Sequence, residues 1–116
     1  MLWLDRALSI LLILGGVGHT VGSFVAYGRN PMMLFWALNA SLFVFLLAAV
    51  NLLRTWRQGD RALAWMCLTG CLCWMVGAMR FGYLVGNMLD IHAVIFALIS
   101  FGLCIFCVRS LWLARI

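Results

Sequence analysis

Residues 7–28 read ALSILLILGGVGHTVGSFVAYG, an uncharged run of 22 residues between Arg6 and Arg29. A helix needs roughly 20 apolar residues to cross about 30 Å of hydrocarbon, so this run predicts a membrane span. Three more runs of the kind follow: Asn30 to Leu53 (24 residues), Ala62 to Met79 (18) and Ile91 to Val108 (18). The spans are expected near residues 4–27, 31–54, 61–85 and 88–112. The runs are too long and too continuously apolar for the alternating strands of a membrane barrel. Their connectors centre on Gly28–Pro31, Arg54–Asp60 and Gly86–Asn87, and links this short force neighbouring helices to run antiparallel. Pro31 suits the first turn of the second helix, where its missing N–H costs nothing. The expected fold is an all-α, four-helix transmembrane bundle of up-down topology, a single integral membrane domain over residues 1–116.

Composition agrees. Of the 116 residues, 67% are hydrophobic and 9% charged, against about 25% charged in a soluble domain. A chain this short cannot bury so much apolar surface internally, and disorder needs the opposite composition. The eight basic residues are all arginine. Arg6, Arg54, Arg57, Arg61, Arg109 and Arg115 fall on the side of both termini and the middle connector; Arg29 and Arg80 fall on the other. The positive-inside rule then places both termini in the cytoplasm. The net charge of +5 is a topology signal, since a nucleic-acid partner would need a basic face outside the membrane. The first run is long for the core of a signal peptide, and no cleavage site precedes a mature domain, so it is read as a retained helix.

Asp5-Arg6-Ala7-Leu8 recurs as Asp60-Arg61-Ala62-Leu63. At the same offset Gly15 meets Gly70, Gly22 meets Gly77, and Arg54 meets Arg109. A tandem-duplicated helical hairpin would give this pattern, with parallel repeats related by an axis along the membrane normal. Small residues let helices approach closely in lipid, where there is no hydrophobic drive between them. Gly15, Gly18, Gly22 and Ala26 share a face of the first helix, Gly70, Cys73 and Gly77 one of the third, and Ala93, Ala97, Ser100, Cys104 and Cys107 one of the fourth. These faces are expected to join helices 1, 3 and 4, leaving the glycine-free helix 2 facing lipid, or to join two copies as a homodimer. Membrane lipids are the other expected partners.

Cys67, Cys71, Cys104 and Cys107 lie at similar depth and could suit a soft metal, but cysteine is also a small apolar packing residue; no metal site is expected. Ionisable and polar groups at membrane depth are the functional candidates. His19, Arg80, His92, Asp90, Asn39 and Ser23 come from four helices to one layer in the outer leaflet. Three readings follow. Arg80 pairs with Asp90, while His19 bonds serine, threonine or backbone of a neighbour. Alternatively, His19 centres a pocket for a small or lipophilic ligand, with Arg80 as anion anchor. Or His19 and His92 ligate a b-type haem, the helical phase of His92 being unfavourable for it. There is no C-x-x-C-H, G-x-S-x-G, H-E-x-x-H or P-loop, so no catalytic residue is assigned and no motif fixes a chemistry.

Gly15-Gly16-Val17-Gly18-His19-Thr20-Val21-Gly22 and Asn51-Leu52-Leu53-Arg54 together resemble small four-helix bacterial inner-membrane proteins. The resemblance covers the first two helices. It implies a fold and a cell-envelope location and carries no activity.

Overall fold

The computed structural model describes residues 1–115. They form four helices: α1 (Leu2–Tyr27), α2 (Pro31–Trp56), α3 (Arg61–Leu84) and α4 (Ile91–Leu113). No strand occurs among the described residues. All four are long and apolar enough to cross a membrane. The 26 residues of α1 or α2 amount to about 39 Å at 1.5 Å per residue, enough to cross the hydrocarbon and reach both interfaces.

The helix starts are chemically marked. Asn30 caps α2 by accepting from the Met33 N–H at 3.1 Å, with Pro31 following in the first turn. Asp60 caps α3 by accepting from the Leu63 N–H at 3.0 Å. The fourth helix begins at Ile91 instead of near 88, because Asp90 caps it: its Oδ1 accepts from His92 N at 3.0 Å and Ala93 N at 3.2 Å. Asn87 accepts from Leu89 N at 3.1 Å in the preceding turn. Gly86 enters that turn with φ of 73°, a left-handed conformation open to glycine without a Cβ clash.

The helices stand in cyclic order, with α1 packed mainly on α2 and α3 mainly on α4. The two hairpins meet through lighter seams, α1–α4 and α2–α3. Both termini and the α2–α3 connector share one end of the bundle, termed the termini end here.

The glycine faces do not pack on one another as expected. Glycine-free α2 supplies bulk to its neighbours: Phe45 and Val44 fill the space over Gly16, and Leu47 that over Gly70. Phe96 fills the space over Gly15, and Leu8 that over Gly102. The physical reason is complementarity of size, since a groove at glycine is filled best by a large side chain from the facing helix. Helix 2 is therefore no more lipid-facing than helix 1; Val44, Leu47, Ala48, Asn51 and Arg54 of α2 are all buried. Gly18, Gly22 and Gly77 face open space, with no atom within 4 Å of where a Cβ would stand.

Candidate functional site

At the end opposite the termini, α1 turns His19 inward, half-buried between α2 and α4. Its Nδ1 lies 2.8 Å from Ser41 Oγ of α2. The Phe96 ring of α4 stands edge-on to it, centroids 6.4 Å apart. Phe96 in turn meets Trp74 of α3 edge-on at 5.4 Å, so His19 ends a row of three edge-on rings. Ser23 is buried and donates back to the His19 carbonyl at 2.6 Å, while Thr20 donates to the Gly16 carbonyl at 2.8 Å. Both hydroxyls are spent within α1. The expectation that His19 bonds a neighbouring serine agrees with this geometry.

The rest of the expected layer does not converge on His19. Asn39 is exposed and donates to the Phe35 carbonyl one turn back on its own helix, at 2.8 Å. Arg80 is exposed and does not pair with Asp90; its guanidinium lies over the Tyr83 ring, 4.9 Å from the centroid, where a cation is attracted to the π face. Asp90 is occupied by the first turn of α4. His92 is 80% exposed in its side chain, with Nδ1 3.4 Å from Asp90 Oδ1. These residues do not fit a bis-histidine haem site: one imidazole is wedged inside the bundle and the other projects from the start of α4. Cys67, Cys71, Cys104 and Cys107 are buried and Cys73 is exposed. Among the described residues no group of three or more histidine, cysteine or acidic side chains is placed to hold a metal ion.

The densest polar cluster lies at the termini end, and sequence reasoning missed it. Arg54, in the last turn of α2, is 1% exposed and ion-paired to Asp5 of α1 at 2.7 Å. The same terminal nitrogen, Nη2, donates to Asn51 Oδ1 at 3.3 Å. Nη1 reaches α4, donating to Ser110 Oγ at 2.8 Å and to the Phe106 carbonyl at 3.1 Å. Asn51 extends the network to α3 through Nδ2, 3.4 Å from Cys71 Sγ, and receives Cys107 Sγ at 3.6 Å. One guanidinium and one amide thus tie all four helices. A charge this deeply buried is stable only when paired and hydrogen-bonded, and Arg54 meets that condition with four acceptors, leaving only Nε unpaired. Positive-inside reasoning had assigned Arg54 to topology alone. The available signals were Asp5 as the lone acid of α1, and Asn51 with Arg54 at i, i+3 on one helical face.

No protein-family model, curated protein or solved structure matches the chain.

Proposed function

We propose that the chain is a bacterial inner-membrane protein with both termini in the cytoplasm, acting as a structural and interaction element that joins a second copy of itself through α1. Six arginines at the termini end, against Arg29 and Arg80 at the other, support the orientation. The observation that carries the interaction reading is the outward glycine pair. Gly18 and Gly22 are four apart, face open space and continue to exposed Ala26. In lipid such a small-xxx-small stripe is where two helix backbones approach closely. The polar groups in the bundle core mostly satisfy one another, which suits a scaffold.

The test is oxidative crosslinking in native membranes of an Ala26→Cys chain in which exposed Cys73 is replaced by alanine. A covalent dimer is expected, reduced at least tenfold by adding Gly18→Leu and Gly22→Leu. A Cβ at either position meets no atom within 4 Å, so both leucines are expected to leave the fold intact. A chain that stays monomeric under oxidation overturns the α1 interface.

A second reading is favoured by His19 itself. Its Nδ1 is taken by Ser41, while Nε2 has no hydrogen-bond partner among the described residues. A small or lipophilic ligand entering from the outer leaflet would meet that nitrogen, with Ser23 one turn on along α1 and Arg80, His92, Asp90 and Asn39 toward the same end. Mass spectrometry of molecules co-purifying with wild type and His19→Ala separates the outcomes. A species present in the wild type and lost in the variant supports the pocket; identical extracts overturn it.

A further inference from the structure

The chain has three acidic residues, and each is committed. Asp5 holds Arg54 at 2.7 Å; Asp60 caps α3 and meets Arg57 at 3.3 Å; Asp90 caps α4 at the far end. Arg6, Arg61, Arg109 and Arg115, all at the termini end, have no aspartate left to pair with. Two of them share a cavity: Arg6 of α1 and Arg109 of α4 line a groove of about 640 Å³ with Leu2, Trp3, Ala7 and Ile10. Arg6 is pre-positioned, its Nε donating to Thr55 Oγ1 of α2 at 3.1 Å. Its two terminal nitrogens have no protein partner among the described residues. That leaves free the forked edge of the guanidinium, which matches a phosphate in two parallel bonds.

We propose that this groove binds the headgroup phosphate of an anionic glycerophospholipid of the surrounding leaflet. The lining away from the arginines is apolar, through Leu2, Ala7 and Ile10. The groove is lined from α1 and by Arg109 of α4, so it lies across the α1–α4 seam. Trp3 at the rim has the amphipathic ring that settles at headgroup level. Basic pockets between membrane helices on the cytoplasmic side attract such lipids. A smaller groove of about 210 Å³ between α3 and α4, with Arg61 and Arg115 flanking Trp65 and Trp112, repeats the same combination on the other flank of α4. The inference rests on the membrane placement of the termini end and is independent of the α1 interface.

The experiment uses the full chain in neutral detergent, with native mass spectrometry of retained phosphatidylglycerol against phosphatidylcholine. Wild type is expected to prefer phosphatidylglycerol at least tenfold. Loss of attraction is about fivefold per arginine, equivalent to about 1 kcal/mol. Arg109→Gln, which keeps the Arg6–Thr55 bond, is then expected to weaken retention about fivefold, and Arg6→Gln with Arg109→Gln about 25-fold. The control Arg29→Gln, equal in charge to Arg109→Gln but at the far end, stays within twofold of wild type. Equal retention of both lipids by wild type, or equal losses in Arg109→Gln and Arg29→Gln, overturns the site. Displacement of phosphatidylglycerol by millimolar inorganic phosphate overturns the lipid in favour of a free anion. Thiol labelling of cysteines added at the termini, in sealed vesicles, reports membrane placement separately.

Discussion

Replacing Arg54 with alanine is expected to lower the stability of the bundle by about 3–5 kcal/mol, the usual cost of breaking a buried ion pair from one side. The variant strands the Asp5 carboxylate, which is 6% exposed in its side chain, and removes donors from Ser110, Asn51 and the Phe106 carbonyl together. Asp5→Asn should cost a similar amount, about 3–5 kcal/mol, because the amide oxygen still accepts from Nη2 but leaves the fully buried guanidinium without a counter-charge. Exchange of the pair, Asp5→Arg with Arg54→Asp, is not expected to restore stability. An aspartate at 54 brings no donor for the Phe106 carbonyl, which only accepts. Unfolding by sodium dodecyl sulfate in mixed micelles, followed by tryptophan fluorescence, gives these differences. A cost below about 1 kcal/mol for Arg54→Ala, or a rescued exchange, would show that the guanidinium network is unimportant at this end.

Phe96→Ala should be the second large effect, at about 2–3 kcal/mol. Phe96 is 8% exposed and touches Gly15, His19 and Trp74 from one ring. Large-to-small changes in water-soluble cores combine lost transfer energy with a cavity. In a bilayer the transfer part largely vanishes, because lipid is as apolar as the core. What remains is the cavity, lost dispersion and the aromatic pair. The partner test is a double-mutant cycle with Gly15→Val. Alone, that change overpacks, because a Cβ on Gly15 would stand 2.8 Å from Phe96 Cε1, and it should cost about 1–3 kcal/mol. With Phe96→Ala the added methyl groups enter vacated space, so the two costs should not add. Strict additivity would mean that the ring does not occupy the Gly15 groove.

The four helices were legible because hydrocarbon admits few charges, so long uncharged runs mark the spans, while Asp5, Arg6, Arg80 and Arg109 lie within the helices themselves. The start of α4 was not, since it is set by one aspartate capping two N–H groups at a range no hydropathy window resolves. The expected bond from His19 to a neighbouring serine is present, to Ser41. Arg80 and Asp90 were not correctly paired, because each has a closer local partner: the Tyr83 ring for one, the α4 amides for the other. Arg54 was misread for a different reason. Counting arginines by side is an orientation signal only, blind to whether a guanidinium in the last helical turn points out to headgroups or in to the bundle. The glycines show the same limit. Periodicity says that Gly15, Gly18 and Gly22 share a face, but only the tertiary arrangement gives Phe96 to Gly15 and nothing to the other two.

The chain order of the ion pair bears on how the protein enters its bilayer. Asp5 and Arg54 both belong to the first hairpin, and α4 supplies its acceptors last. Because α1 and α2 precede α3 and α4, an acid and a base stand at the same end within the first half of the sequence. The two charges can therefore cancel within the first half of the chain, which lowers the cost of inserting either. Nη1 of Arg54 reaches the Phe106 carbonyl and Ser110 of α4, so the side chain that closes the first hairpin also latches the final helix to it.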